Sequence, residues 1–244
     1  ASDVYKRQNK HFRDFVSDNS LELGIGDDCA LFNVLDNDRL LITTDTVVQG
    51  RHFPPDAPAR ALGYRSCAVA LSDIAAMGGK ARWASLALTI DELYEPWMDG
   101  FCAGIKEALA LDETCLTGGD LTQGPLCISW TVIGAISGSH WLTRAGAKVG
   151  DDVYVSGQLG GASAALQYLD ENATKPPIQQ LQRRYWHPQP RLALGRDLVN
   201  IASSCIDVSD GLLADLGHIA TMSECAIDLF NSAIPRDSAL PMTL

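Results

Sequence analysis

The stretch Leu40–Phe53, LLITTDTVVQGRHF, is aliphatic and β-branched as far as Val48 and breaks at Gly50. That composition predicts a strand with one buried end. Thr43, Thr44, Asp45 and Thr46 interrupt its apolar course with one carboxylate and three hydroxyls. A buried charge is costly unless it is paired or holds a metal ion. Taken alone, Asp45 is better explained as a turn cap at the strand end. The rest of the chain bears on which explanation holds.

Working outward, similar oxygen clusters recur. Gly24–Phe32, GIGDDCALF, places Asp27 and Asp28 side by side in a Gly-bounded turn before an apolar strand. Neighbouring carboxylates repel unless they are solvated or share a cation. Ala59–Met77 predicts a helix rich in small residues, packed tightly against another element and stopped by Gly78 and Gly79. Asp73 falls in its last turns, where the helix dipole disfavours an acid. In Leu116–Asp120, LTGGD, the glycines either let backbone amides approach a ligand or simply make a turn. Cys205–Gly211, CIDVSDG, alternates so that Asp207 and Ser209 would share one strand face, although Ser209 or Asp210 also suits a helix N-cap. Each junction has a plain structural explanation. Five together, at 27/28, 45, 73, 120 and 207/210, call for a common one.

Between these junctions the pattern alternates. Trp83–Ile90 and Leu126–Ile136 read as strands and Asp91–Ala110 as an amphipathic helix. Residues 138–150 read as a linker carrying Thr143, Arg144 and Lys148. Asp152–Ser156 then reads as a strand, and the glycine turn at 157–161 as the lead into an alanine-rich helix through Leu169. That turn lacks both GxGxxG and the P-loop GKS/GKT, so packing explains it better than phosphate binding. Glu171–Pro177 reads as a loop, His187 to about Ala202 as a Pro-opened helix, and Leu212 to about Ser223 as another. The expected fold is α/β with two domains, residues 9–137 and 138–244. Residues 1–8, ASDVYKRQ, show no periodicity and read as extraneous to it.

Composition narrows the function. A 244-residue chain with 46% hydrophobic and 20% charged residues is ordinary for a soluble globular protein. Its net charge of −11 argues against nucleic acid as a partner. No apolar run is long enough for a membrane span, and no signal peptide is evident. Seven cysteines without a CxxC pair suggest reduced thiols in a cytoplasm rather than a disulfide framework or zinc site.

Hard oxygen ligands without a His/Cys cluster suit Mg²⁺, which commonly arrives with a nucleotide phosphate, so phosphoryl transfer is the matching chemistry. GIGDDCALF, TTDTVVQGRHF, LSDIAAMGG, LTGGD, LTRAGAKVGDDVYVSG and IDVSDGLLADLGHI, in this order, resemble the bacterial thiamine-monophosphate kinase family from about Asn9 onward. DVSDG separates that family from the related aminoimidazole ribonucleotide synthetases and selenide, water dikinases. The resemblance implies an aminoimidazole ribonucleotide synthetase-like fold and ATP-dependent phosphorylation of thiamine monophosphate to thiamine diphosphate. It implies direct transfer with several Mg²⁺ ions, in a homodimer whose N-terminal mixed sheets form a shared barrel with nucleotide near the interface. Asp28, Thr43, Thr44, Asp45, Asp73, Asp120, Asp207 and Asp210 would then ligate Mg²⁺. Gly119, Asp120, Arg144 and Ser209 would contact ATP, and His52 the substrate. The family pattern continues beyond Leu244 with a GGEDYEL-type segment, so this chain is expected to be a member cut short in its second domain. The competing expectation is a catalytically silent, Mg-nucleotide-binding dimerisation module.

Overall fold

The computed structural model describes residues 38–169 and 173–240, together with the backbone of 21–23 and 31–32. The GIGDD turn, with Asp27 and Asp28, lies outside the described residues. Two short strands, β1 (Leu21–Leu23) and β2 (Leu31–Phe32), pair antiparallel. The main sheet consists of β3 (Asp38–Val48), β4 (Lys80–Ile90), β5 (Cys115–Gln123) and β6 (Cys127–Ser137), in the order β3-β6-β4-β5. β6 runs antiparallel to both β3 and β4, whereas β4 and β5 are parallel. A parallel pair needs a crossover. Helix α2 (Glu95–Leu109) supplies it, opened by Pro96 at a position where a missing N–H costs nothing.

The period-two burial of β3 sorts its side chains. Leu41, Thr43, Asp45 and Val47 face the core, while Leu40, Ile42, Thr44 and Thr46 face outward. Cross-strand partners share a face, so Asp45, Trp130 and Leu86 form one inward row, with Trp130 and Leu86 buried. Helix α1 (Ala59–Ala76) covers this face, and the Trp130 indole donates to the Ser66 hydroxyl at 3.1 Å.

The small residues of α1 do what their spacing implies. A Cβ at Gly63 would fall 2.1 Å from the Phe101 carbonyl oxygen, and one at Gly104 only 1.9 Å from that of Arg60. The two helices therefore cross in backbone contact. After Met77, the N–H of Gly78 bonds the Ala75 carbonyl and that of Gly79 the Ile74 carbonyl, both at 3.0 Å. This is a Schellman stop with Gly78 at φ +75.

After Ser137 the described chain is helical: α3 (Gly161–Ala165), α4 (Pro176–Trp186), α5 (Leu192–Leu198) and α6 (Leu212–Met222). Several expectations are corrected here. Asp152–Ser156 pairs with no strand among the described residues, and Tyr154 is 87% exposed. An alternating pattern makes a strand only where a ladder partner exists. The alanine-rich helix ends at Ala165 rather than Leu169. Helix α4 begins within the expected loop, because its prolines occupy the first turn. The helix expected from His187 starts only at Leu192, after Pro190 and a left-handed Arg191.

The helical half is pinned to the first. Gly195 of α5 sits where a Cβ would meet the Ala75 carbonyl oxygen at 2.1 Å. Arg196 bonds both carboxylate oxygens of buried Asp112, at 2.8 and 2.9 Å. One hydrophobic cluster runs continuously from Val47 through α1 and α2 to Leu181, Tyr185, Trp186 and Leu192.

Candidate functional site

The site grows from the meeting of β3 with the end of α1. Thr43 Oγ1 donates to Asp73 Oδ2 at 2.5 Å, tying the strand to the last turn of the helix. Two residues on, Asp45 points to the same side. Burial raises its carboxyl above the usual range, and the Asp73 charge adds to this against the Thr46 N–H, His52 and Arg65. Asp207, from the segment before α6, shows the same behaviour. Burial comes first and Asp73 next, opposed by a hydrogen bond with the Ser72 side chain, while Asp215 raises it further and Arg144 lowers it.

The Asp73 charge thus acts on two half-buried carboxylates, one contributed by a strand and one by a loop. None of the three belongs to an ion pair within 4.0 Å among the described residues. Among those residues, no three His, Cys, Asp or Glu side chains are close enough to hold one ion together. Mg²⁺ does not need three carboxylates, and the hard oxygens of Asp45, Asp73, Asp207 and Thr43 suit it in kind. That ion binds through one or two carboxylates and completes its octahedron with phosphate oxygens and water.

The other expected site residues are placed as follows. Thr44 faces outward, its hydroxyl 3.2 Å from that of Thr131. The LTGGD segment is not a turn: it lies within β5, where Thr117 is the extra residue of a bulge against β4. Gly119 has φ +153, and a Cβ there would lie 1.8 Å from the Leu86 carbonyl oxygen, so only glycine fits. Asp120 pairs with Ala87 in the outward row of Ser129 and Thr46, and accepts from Thr122 Oγ1 at 2.7 Å. It therefore stands on the opposite face from Asp45, three strand spacings of about 4.8 Å away. The expectation that these two carboxylates share one cluster within the chain is corrected by this register.

Asp207 is half-buried whereas Ser209 and Asp210 are exposed, and residues 205–210 form no strand. Arg144 is exposed on a neighbouring loop, linked to this segment by the Cys205 N–H bonding the Thr143 carbonyl at 2.8 Å. His52 is exposed in the turn after β3. Its Nδ1 accepts from the Val48 N–H at 3.0 Å, and its carbonyl accepts from the Tyr185 hydroxyl at 2.5 Å. Asp28 lies outside the described residues.

Residue-by-residue reading missed the support for this site. Arg65 lies over the Tyr185 ring at 4.0 Å and bonds the Tyr185 carbonyl, so α1, α4 and the His52 turn lock together. Its signal was a cation set among the small and apolar residues in the middle of the helix. Ser72, next to Asp73, and Asp215, inside the DVSDG segment's own helix, were likewise passed over.

With this geometry in hand, comparisons with known proteins are specific. Residues 26–136 match the AIR synthase related protein, N-terminal domain family. The chain is 42% identical to thiamine-monophosphate kinase of Salmonella typhimurium over 223 residues, which is 90% of this chain and 69% of that protein. It is 41% identical to the Escherichia coli K12 enzyme of the same name, with the same shares covered. Among solved structures, thiamine-monophosphate kinase from Stenotrophomonas maltophilia K279a superposes with a TM-score of 0.88 at 37% identity, covering 99% of this chain and 77% of that one. AaThiL complexed with AMPPCP and TMP gives 0.80 at 29% identity, covering 85% and 68%.

Proposed function

The chain belongs to the thiamine-monophosphate kinase family, and from that premise we propose that it transfers the γ-phosphoryl group of ATP to thiamine monophosphate. A phosphate oxygen of thiamine monophosphate attacks the γ-phosphorus, the bond to the β–γ bridging oxygen breaks, and ADP and thiamine diphosphate leave. The observation that carries this reading is the arrangement of Asp45 and Asp207 about Asp73, with hydroxyls of Thr43 and Ser72 among them. Such carboxylates repel one another unless cations enter, and those cations in turn draw in phosphates. A relative solved with AMPPCP and TMP supports both substrates.

Asp45, Asp73 and Asp207, with Asp28, Thr43, Thr44, Asp120 and Asp210, would hold Mg²⁺. When bound, Mg²⁺ neutralises charge on the phosphate oxygens and aligns donor with acceptor. The chain's own part is positional. Thr43 and Ser72 orient carboxylates, Gly119 brings the β5 backbone close, and Arg144 and Ser209 offer donors to the triphosphate. His52, held by Val48 and Tyr185, faces the substrate.

The homodimer belongs to the same reading. β3 and β5 are the two edges of the main sheet, and they carry Asp45 and Asp120. Joining β3 of one copy to β5 of another closes a barrel and sets the strand that carries Asp120 beside the strand that carries Asp45 in the other copy. We take 9–137 as the sheet domain that does this and 138–244 as the second. A cytoplasmic setting is supported by the free, buried thiols of Cys67 and Cys102, and no described helix is long and apolar enough to cross a membrane.

The test is ATP-dependent formation of thiamine diphosphate by the wild-type chain and by Asp73→Asn. Turnover abolished in the variant supports the assignment; equal turnover removes Asp73 from the site. Mg·ATP binding without any turnover by the wild type would favour the silent module instead.

A further inference from the structure

The segment bearing Ser209 and Asp210 and the loop bearing Arg144 have no regular secondary structure, and their side chains are exposed. What fixes them is helix α6, pinned to each at opposite ends. At its start, Asp215 is 3% exposed, and its Oδ2 accepts two backbone hydrogen bonds, from Ser209 N–H at 2.9 Å and Gly211 N–H at 3.0 Å. A carboxylate taken out of water is worth keeping only where donors compensate it, and here both donors belong to the DVSDG segment. Gly211, at φ +128, lets the backbone turn back to meet it.

At the other end, Ser223 is the residue that ends the helix. Its hydroxyl accepts from Gly146 N–H and Ala147 N–H, both at 3.1 Å, and donates to the Arg144 carbonyl at 3.2 Å. All the hydrogen-bonding capacity of that hydroxyl is spent on the Arg144 loop. Gly146 is itself constrained: φ is +121, and a Cβ would lie 2.4 Å from the Ser203 carbonyl oxygen. The helix between the pins has 11 residues and is about 16 Å long. It is a rigid bar that acts beside the Cys205–Thr143 backbone bond to fix the distance between the two loops.

We propose that Asp215 and Ser223 are positioning residues that set the separation of the Ser209 and Arg144 loops, and so determine how tightly the chain holds a nucleoside triphosphate. This rests on the reading of those loops as nucleotide contacts. Neither residue would touch the nucleotide; each acts through backbone it holds.

The experiment is calorimetric titration of the full chain with Mg·ATP, using D215A, D215N, S223A, S223T and R144A. Loss of a residue that orients others typically costs 10- to 100-fold. D215A and S223A should keep the wild-type stoichiometry but weaken the Kd by about tenfold. D215N and S223T, which keep an acceptor oxygen in place, should stay within about threefold of wild type. A merely structural role would lower the binding-competent fraction and leave Kd unchanged, and that result overturns the proposal. Unchanged Kd in D215A and S223A beside a weakened R144A overturns it while leaving the nucleotide reading intact. Unchanged Kd in R144A removes the loop contact itself, and the proposal falls with it.

Discussion

The Thr43 hydroxyl lies 2.5 Å from Asp73 Oδ2, so the inward face of an edge strand and the last turn of α1 share one hydrogen bond at the centre of the acidic cluster. A threonine that keeps this bond orients the carboxylate without adding charge. Thr43→Val preserves shape and removes the donor. It should lower kcat by about tenfold, and Asp73→Asn by at least about 100-fold. Thermal melts of both variants should remain cooperative, and steady-state thiamine diphosphate formation checks the rates.

The cluster also sets a pH dependence. Burial, reinforced by Asp73, raises the folded-state values of Asp45 and Asp207 above their unfolded ones. In the window between the two, the folded chain binds more protons than the unfolded chain. Stability therefore falls as pH rises through that window, and above it the full cost remains. In chelator at pH 7.5, Asp45→Asn and Asp207→Asn should melt about 2 °C higher than wild type. Addition of MgCl₂ should raise the wild-type melting temperature and narrow that gap. Calorimetric scans with and without Mg²⁺ decide it; variants that melt lower in chelator would show that the carboxylates are not mutually repelled.

How much of this was legible depends on the range of the interaction. The β-branched run around Thr43–Val48 and the Gly78-Gly79 stop are local, and the strand, the helix and its cap all read directly. The placing of Asp45 beside Asp73 could only be suspected, since it depends on α1 docking 28 residues later in sequence on the inward row of β3. LTGGD misled because glycine is both a turn former and the residue a crowded strand requires, and only the Leu86 carbonyl 1.8 Å from a Gly119 Cβ tells the two apart. Pro176 and Pro177 misled for the opposite reason, since proline breaks helix interiors but opens helix starts. The separation of Asp45 from Asp120 is a matter of register, which alternation alone does not reveal across four strands.

The Tyr185 hydroxyl bonding the His52 carbonyl links the helical half to the turn assigned to substrate. Tyr185→Phe leaves the ring under Arg65 and removes that bond. It should cost about 1 kcal/mol and raise KM for thiamine monophosphate, with KM for ATP unchanged. Equal rises in both KM values would mean that Tyr185 supports the whole fold and not that turn.

Arg196 and Asp112 make the stronger link between halves. The Asp112 side chain is nearly buried, and besides Arg196 it accepts the Ala81 N–H at 2.8 Å. Asp112→Ala strands both partners and should cost about 3 kcal/mol. Urea unfolding should show the midpoint falling. If the helical half releases first, the transition will also lose its two-state form.

Hydrogen exchange reads the contrast between the halves. β6 is bonded along both edges and carries buried Ile128, Trp130 and Val132, so it should exchange most slowly. Within one chain β3 borders only β6 in the main sheet, so its amides should be protected in alternation in a monomer and along both edges in the proposed dimer. In the second half, Leu181, Tyr185 and Trp186 bury α4 against the common core, so residues 181–186 should be slow, unlike the loops around them. Residues 149–156 should exchange fastest, because they have no ladder among the described residues and expose Val149 at 98% and Tyr154 at 87%. With Ile201, Leu213 and Phe230 also exposed, this half offers apolar surface that invites association. A hydrophobic dye should therefore bind, and its signal should fall as protein concentration rises. Protection of 149–156 equal to that of β6 would show a paired strand there and sink this prediction.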